Sequence, residues 1–382
     1  MNKNPLIALK ELGQSIWLDN LSRKLIRTGE LKRLIEEDGI SGITSNPSIF
    51  QKAISGSADY DASLQKQLDR GVKDPKELFW GIAFEDIAEA AEILKPVYLA
   101  THGQDGFVSI EVSPDLAYDT DATIKEARRL FSTIGKKNVL VKVPATRQGL
   151  PAIEQLTSEG ININITLLFS VKRYEEVVEA YLLGLEKRAA KREPIDEITS
   201  VASFFVSRVD TLTDKLLEEK FASASGAEKE KISGLLGKAA VANAQIAYKG
   251  YRSLFDTKRF APLKEKGGRV QRILWGSTGT KNPKYSDVKY VEELIGPNSV
   301  NTLPETTIKA FKEHGRAKIT IYDGLEEAER VFPNLHSLGI EIDQITDQLE
   351  KEGVKLFADS FDALLKEIAN KRDAFLAEKG SK

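Results

Sequence analysis

Eight short apolar segments, each separated from the next by helix-forming sequence, constrain the fold of this chain more than any other feature. They lie near residues 15, 40, 108, 139, 161, 201, 271 and 299. Strands that alternate with helices pair in parallel, and eight such units suffice to close a barrel. The pattern therefore predicts an α/β chain folded as a (β/α)8 TIM barrel.

A doubly wound open sheet is the alternative fold. It would commonly carry a glycine-rich phosphate loop, but no G-x-G-x-x-G follows the first strand and no G-x-x-x-x-G-K-[ST] loop occurs. The stretch Gly276–Lys281 resembles such a loop only superficially, since its spacing is wrong. These absences favour the barrel.

Several helical segments exceed a minimal barrel. We expect one domain over residues 1–382, with a short N-terminal helix at Pro5–Leu12 and a helical insertion at 209–265. Residues 308–382 predict a mostly helical C-terminal extension packed on the barrel, with a strand-like piece at Ala317–Tyr322. The extension is interpreted either as a plain cover or as a helix that closes over the mouth of a site.

The composition excludes several functional classes. With 55 basic and 57 acidic residues the formal charge is −2, which gives no reason to expect nucleic acid or an anionic membrane as partner. Cysteine is absent and only His102, His314 and His336 are available, so a cysteine or histidine metal site is not expected. The N-terminus lacks the apolar core of a signal peptide, and no segment approaches a membrane span, so we expect a cytoplasmic protein.

The most unusual strand is Val139–Thr146, in which one lysine interrupts an apolar run. Alternation places Val139, Val141 and Val143 on one face and Lys142 on the other. A buried ammonium is costly unless it pairs or becomes neutral, and a neutral lysine amine can form a Schiff base with a carbonyl. The alternative is an edge-strand lysine that reaches into solvent.

Polar residues near the ends of the other predicted strands favour the first interpretation. Barrel enzymes build their sites at the C-terminal ends of the strands. The residues found there are Asp19, Asn46, Glu111, Asn164, Thr166, Ser203, Arg208 and the stretch from Ser277 to Lys281. Each has a structural alternative, such as a helix cap or a satisfied amide, but their gathering at one end predicts a site.

Class I aldol cleavage is the chemistry that these residue types suggest. Lys142 would attack a ketone, and the protonated imine would accept the electrons of the breaking carbon–carbon bond. Asp19 is a candidate base for the neighbouring hydroxyl, and Glu111 could position a water that carries protons. Arg208 suits a terminal phosphate, because its planar fork matches phosphate oxygens.

Three segments resemble the signature stretches of the transaldolase family: residues 42–48 (GITSNPS), 139–146 (VLVKVPAT) and 160–170 (GININITLLFS). The resemblance runs in order from about Ser15 to Thr307. It implies a (β/α)8 barrel that needs no cofactor or metal. We expect this barrel to be a monomer or a homodimer. It also implies transfer of a dihydroxyacetone unit between sugar phosphates in the non-oxidative pentose phosphate pathway. In this reaction sedoheptulose 7-phosphate and glyceraldehyde 3-phosphate are exchanged for erythrose 4-phosphate and fructose 6-phosphate.

The resemblance also assigns roles by position. Lys142 matches the Schiff-base lysine, Asp19 the acid/base aspartate, and Glu111 the glutamate that works through a water. The remaining matches are Asn46, Asn164, Thr166 and Ser203 as substrate contacts, Phe205 as a pocket aromatic and Arg208 as a phosphate ligand.

One stretch departs from the family pattern. Many members carry Ser-Phe-Arg after the seventh strand, which supplies a second phosphate-binding arginine, whereas this chain reads GSTGTKNP at 276–283. We expect Lys281 to replace that arginine as a point charge, with Ser277 or Thr278 donating a hydroxyl.

Two other functions compete with transaldolase. A fructose 6-phosphate aldolase of the same superfamily would release dihydroxyacetone, but that activity is associated with a glutamine at the position of Glu111. The other alternative is a catalytically silent barrel that serves as a scaffold. The joint presence of a lysine, two carboxylates and phosphate ligands disfavours this alternative.

Overall fold

A computed structural model describes residues 4–380, and eight parallel strands in it form a closed barrel in the order β1 to β8. The strands are β1 Gln14–Leu18, β2 Gly42–Ile43, β3 Phe107–Glu111, β4 Val139–Pro144, β5 Ile163–Leu168, β6 Ser200–Phe205, β7 Arg272–Gly276 and β8 Ser299–Leu303. The predicted (β/α)8 barrel is confirmed. Residues 1–3 and 381–382, which the single-domain prediction includes, lie outside the described part.

Helices join the strands and cover the outside of the barrel. They are α1 Pro5–Glu11, α2 Arg23–Arg27, α3 Glu30–Asp38, α4 Pro47–Ile54, α5 Asp61–Asp69, α6 Pro75–Ala100, a 3-10 turn Pro114–Leu116, α7 Thr120–Ile134, α8 Gly149–Ser158, α9 Val171–Ala190, α10 Ser207–Phe221, α11 Gly226–Leu235, α12 Ala239–Phe255, α13 Ala261–Glu265, α14 Lys289–Glu292, α15 Glu305–His314, α16 Leu325–Ser337 and α17 Ile342–Gly380. Residues 222–225, between α10 and α11, are not helical.

Side-chain alternation separates two cores. The barrel interior holds its own apolar cluster of Trp17, Phe107, Leu140, Val201, Leu274 and Val300. The opposite faces of the strands, such as Val139, Val141 and Val143, join the larger core beneath the helices. Polar side chains lie above this inner cluster, nearer the C-terminal ends of the strands.

The closed barrel also decides between the two interpretations of Lys142. Strand β4 is paired along both of its edges. Its Val141 lies opposite Ile163 of β5, and its Lys142 lies opposite Glu111 of β3. No edge is open there, so the lysine cannot reach solvent sideways, and the edge-strand alternative is wrong.

The prediction of a strand-like piece at Ala317–Tyr322 is also wrong. Residues 315–320 form no regular element, and the chain then enters a turn. The apolar alternation there buries Ile321, whose amide donates to Ile295 O at 3.1 Å, but Ile319 stays exposed. Because the barrel is already closed, the piece has no free edge with which to form a ladder.

The long helix α17 crosses the C-terminal end of the barrel. Its Gly353 lies so close to Leu167, near the C-terminal end of β5, that a Cβ would stand 2.8 Å from Leu167 Cδ2. Ser48 Oγ on α4 donates to Ser360 Oγ at 2.8 Å, and Phe361 packs on Phe79 with ring centroids 5.5 Å apart. Part of the mouth is therefore covered. Among residues 4–380, no helix has the length and apolar character needed to cross a membrane.

Candidate active site

Lys142 and Glu111 stand side by side at the C-terminal end of the barrel. The register of β3 and β4 pairs these two residues, and Lys142 Nζ lies 3.3 Å from Glu111 Oε2. The ammonium also donates to the backbone oxygen of Ser45 at 3.1 Å. Lys142 is 4% exposed and Glu111 7% exposed, so this is a buried ion pair rather than a surface one.

Burial raises the pKa of the Glu111 carboxyl above its ordinary range, although the charge of Lys142 acts in the opposite direction. Glu111 Oε2 has no hydrogen-bond partner among the described residues. A carboxylate in this state can accept a proton from the neighbouring amine or from a water.

Asp19 follows β1 and occupies the same end of the barrel. Its Oδ1 accepts a hydrogen bond from Thr44 Oγ1 at 2.7 Å, and Thr44 Oγ1 lies 2.6 Å from Thr302 Oγ1. Burial raises the pKa of Asp19, while the bond from Thr44 and the charge of Lys142 lower it. The two carboxyls flank the lysine from different strands, as a base and a proton carrier require.

Asn164 lies beside Lys142 in the β4–β5 register. Its Nδ2 donates to Ser109 Oγ at 3.0 Å, and its Oδ1 accepts from Ser203 Oγ at 2.6 Å. The chain Ser109–Asn164–Ser203 therefore fixes the amide orientation inside the barrel. Thr166, one inward position further along β5, keeps a buried Oγ1 without a partner among the described residues.

Asn46 is the cap of a helix, and the substrate contact expected of it stays a prediction. Its Oδ1 accepts from the Ile49 amide at 3.0 Å and caps α4. Asn46 also lines a small cavity together with Ser45 and Glu111. Phe205 stands at the end of β6, packed edge-on against Phe169 with ring centroids 5.2 Å apart.

Arg208 and Lys281 form a cationic pair at the ends of β6 and β7. Partial burial, and then the charge of Arg208, lower the pKa of Lys281 to about 8. Burial also lowers the pKa of Arg208, and its Nε has no hydrogen-bond partner in the described part of the chain. Two neighbouring cations that form no ion pair within residues 4–380 suit a dianionic phosphate.

The two candidate hydroxyls after β7 behave differently. Thr278 is fully buried and donates to Asn301 Oδ1 at 3.0 Å, so it faces β8 rather than the site. Ser277 adopts a left-handed backbone with φ of 53°, and its Oγ lies 3.2 Å from Ser207 Oγ, next to Arg208. Ser277 is therefore the hydroxyl close to the cationic pair.

Comparison with known proteins agrees with this geometry. A family model described as "Transaldolase/Fructose-6-phosphate aldolase" matches residues 16–368. A transaldolase of Trichodesmium erythraeum is 47% identical over 97% of this chain and 98% of its own length. Those of Saccharopolyspora erythraea and Mycobacterium leprae (strain TN) are 45% and 44% identical, over 96% and 97% of this chain and 98% of each relative.

The chain belongs to the transaldolase/fructose-6-phosphate aldolase family.

The structure brings the predicted residues of this transaldolase-family barrel to one end. The residues on the C-terminal halves of strands, or in the loops that follow them, are Asp19, Asn46, Glu111, Lys142, Thr166, Ser203, Phe205, Arg208, Ser277 and Lys281. Asn164, the second residue of β5, is paired with Lys142 and hydrogen-bonded to Ser203. Buried polar atoms nearly always find partners in folded proteins. Thr166 and Arg208 nevertheless hold buried atoms without one in the described chain, and Glu111 Oε2 has only its ion pair with Lys142, so these atoms are available to a water or a ligand.

Sequence reasoning missed Thr44, Thr302 and the role of Ser109. Alternation already indicates that Ser109 shares a face with Glu111, so its position was predictable but its bond to Asn164 was not. Thr302 contacts Thr44 only because β8 closes on β1, with Thr302 paired to Trp17. The one signal for Thr302 in the sequence is its position on the inward face of β8.

Proposed function

We propose that this protein is a transaldolase that transfers a dihydroxyacetone unit from a ketose phosphate to an aldose phosphate. The donor is sedoheptulose 7-phosphate or fructose 6-phosphate, and the acceptor is glyceraldehyde 3-phosphate or erythrose 4-phosphate. The observation that carries the proposal is the buried pair of Lys142 and Glu111, with Asp19 at the same barrel end. The full-length relatives named transaldolase support the same activity.

Lys142 forms the covalent intermediate. Its ammonium passes a proton to Glu111, directly or through a water, and the free amine adds to the ketone carbon. Loss of water then gives a protonated imine. The raised pKa of Glu111 makes this carboxylate a competent proton acceptor in a site where an ordinary one would be too weak a base.

Asp19 performs the carbon–carbon step. It takes the proton of the hydroxyl on the carbon that becomes an aldehyde, the bond between the third and fourth carbons breaks, and its electron pair enters the imine. The aldose leaves and the three-carbon enamine stays on Lys142. An acceptor aldehyde then reverses the sequence, Asp19 returns the proton, and water hydrolyses the new imine.

The polar neighbours hold the reacting groups in place. Asn46 and the Asn164–Ser203 pair contact substrate hydroxyls and the imine, and Thr166 helps Glu111 to hold the water. Phe205 forms an apolar wall. Arg208, with Lys281 and Ser277, binds the terminal phosphate.

Borohydride trapping with fructose 6-phosphate tests the covalent step. Reduction of the imine should leave a stable adduct on Lys142, identified by peptide mass analysis. Lys142→Ala should form no adduct and show no transfer, while its circular dichroism and urea unfolding show that it still folds. An adduct on another lysine, or wild-type activity in the variant, would refute the assignment.

Acceptor dependence separates transfer from simple cleavage. We expect rapid consumption of fructose 6-phosphate only when erythrose 4-phosphate is present, because the enamine waits for an acceptor. A fructose 6-phosphate aldolase would instead release free dihydroxyacetone at a comparable rate without acceptor. Rapid release would therefore favour the aldolase.

We infer that the protein works in the cytoplasm, where phosphorylated sugars are available, as a monomer or a homodimer. Sedimentation of the purified chain distinguishes the two oligomeric states. Neither the proposed reaction nor the arrangement of Lys142, Asp19 and Glu111 depends on which is found.

A further inference from the structure

Helix α10 carries a buried carboxylate directly after Arg208. Asp210 Oδ2 accepts a hydrogen bond from Tyr290 OH at 2.8 Å, and Asp210 Oδ1 accepts from the Ala240 amide at 2.7 Å. Asp210 is 1% exposed and Tyr290 2% exposed. One carboxylate thus joins α10 to both the first turn of α12 and the segment that follows β7.

A second carboxylate repeats this arrangement one helical turn later. Asp214 Oδ2 accepts from Tyr285 OH at 2.7 Å, and Asp214 Oδ1 accepts from the Gly237 amide at 2.8 Å. A Cβ on Gly237 would lie 2.7 Å from Tyr285 Cζ, so only glycine leaves room for the ring. Asp210, Asp214, Tyr285 and Tyr290 together are called the Tyr–Asp clamp.

The two oxygens of each carboxylate have separable roles. The Oδ1 atoms accept backbone amides at and just before the start of α12, which is a capping function that stabilises the fold. Within residues 4–380, the Oδ2 atoms accept only the tyrosine hydroxyls. Replacing a tyrosine by phenylalanine therefore removes the link between segments and leaves the capping bond intact.

The clamp joins the same two segments that carry the cationic pair. Arg208 precedes both aspartates on α10, and Lys281 precedes both tyrosines after β7. A compact turn connects Lys281 rigidly to Tyr285, since the Tyr285 amide donates to Asn282 O at 3.1 Å. The Lys284 amide also donates to Asn282 Oδ1 at 3.0 Å, and Thr280 Oγ1 to Ser286 O at 2.8 Å.

Like charges repel, and the charge of Arg208 adds to burial in lowering the pKa of Lys281. The segments that carry the two cations meet at Ser207 and Ser277, whose Oγ atoms lie 3.2 Å apart. Without an anion between them, the two segments would relax apart unless other contacts held them. The buried Tyr290–Asp210 bond and the partly buried Tyr285–Asp214 bond are such contacts. They are charge-assisted and therefore stronger than ordinary hydrogen bonds.

We propose that Tyr285 and Tyr290 are positioning residues that fix the separation of Arg208 and Lys281 and so determine selectivity for substrates with a terminal phosphate. The inference rests on the proposed function for the identity of the substrate. The tyrosines do not touch the substrate, and they act through the two cations.

Kinetics of phenylalanine variants test the proposal. Tyr285→Phe combined with Tyr290→Phe should raise KM for fructose 6-phosphate about tenfold. For unphosphorylated fructose, kcat/KM should stay within about twofold of the wild type. Tyr248→Phe is the matched control, since it removes a tyrosine hydroxyl that donates to Pro297 O at 2.6 Å and, among the described residues, to neither carboxylate of the clamp. A purely structural role would lower kcat/KM for both substrates together, and that result would overturn the proposal.

Binding of inorganic phosphate gives a readout that needs no activity. Calorimetry should show about tenfold weaker binding in the double variant, none measurable in Arg208→Ala, and wild-type binding in Tyr248→Phe. If these shifts occur but no transfer activity is found, the clamp stands and the proposed function fails. If wild-type and double variant bind phosphate equally, or if Arg208→Ala binds as well as the wild type, the clamp proposal is wrong.

Discussion

Asp19 is the residue whose surroundings make its role most testable. It is the proposed base for carbon–carbon cleavage, whereas imine formation involves Lys142 and Glu111. Asp19→Asn keeps the shape but loses the base, so kcat should fall by about 10²- to 10⁴-fold. The borohydride adduct on Lys142 should still form, as measured by peptide mass analysis. Loss of adduct in proportion to kcat would instead assign Asp19 to imine formation.

The hydroxyls of Thr44 and Thr302 form a directional chain behind Asp19. A hydroxyl has one proton, and Thr44 donates its own to Asp19 at 2.7 Å. Thr302 must therefore donate to Thr44 across the 2.6 Å contact. This order stabilises the ionised carboxylate against the burial that raises its pKa.

Removing that hydroxyl should change the pH dependence of the reaction. In Thr44→Val the pKa of Asp19 rises further, because the bond from Thr44 lowers it in the wild type. Since the base must be ionised, the acidic limb of the kcat/KM profile should move to higher pH. Thr44→Ser keeps the hydroxyl and should retain the wild-type profile. An unshifted limb in Thr44→Val would mean that Asp19 does not control it.

At the scale of elements, strand alternation predicted much of the site. Period-two patterning alone placed Lys142 and its neighbours on a common face, and the parallel βα order gathered their C-terminal ends. The family resemblance supplied the roles. Both sources used information local to single strands and turns.

What sequence patterning could not supply depends on contacts between distant segments. The Thr44–Thr302 bond requires closure of β1 on β8, and the approach of Lys281 to Arg208 requires the turn geometry after β7. The register shift between Ile165 and Leu168, with Leu167 at φ of 55°, is a further example. No local pattern encodes these features.

The connection from β4 to α8 allows little change because two backbones nearly touch. A Cβ on Gly149 would lie 2.0 Å from the carbonyl oxygen of Pro144, at the end of the Lys142 strand. Backbone cannot rotate away as a side chain can, so Gly149→Ala should reduce the free energy of unfolding by about 1–3 kcal/mol. Because β4 must shift, kcat should fall as well.

Gly250→Ala is the matched control for this change. Gly250 lies inside α12, and a Cβ there would meet no atom within 4 Å. Its replacement should stabilise the protein by about 0.5–1 kcal/mol, since alanine favours the helix. Urea unfolding of the two variants measures both effects. Equal stabilisation of both would show that β4 and α8 are not closely packed at Gly149.

At the scale of the whole molecule, buried carboxyl groups give the fold a characteristic response to pH. Burial raises the pKa of Asp86 to about 6 even though Arg23 pairs with it at 2.9 Å. Burial likewise raises the pKa of Asp210 to about 6, against the bonds from Ala240 and Tyr290. In the unfolded chain both return to an ordinary value of about 4.

The sign of the resulting pH dependence follows from proton counting. Between about pH 4 and pH 6 the folded state binds more protons at these groups than the unfolded state. Their contribution to stability therefore falls as the pH rises through this window. Surface carboxyls such as Glu159, whose pKa is lowered by Arg128, act in the opposite direction. Their window lies below their ordinary value of about 4.5, so they contribute little above pH 5.

The contribution of these buried groups to the free energy of unfolding should accordingly be larger at pH 5 than at pH 7. Asp210→Asn isolates one of them, because its amide cannot titrate but its oxygen can still accept the capping bond. The wild type should therefore gain more stability than the variant on acidification from pH 7 to pH 5, measured by urea unfolding at both values. Equal gains in the two proteins would show that Asp210 takes up no proton in this range.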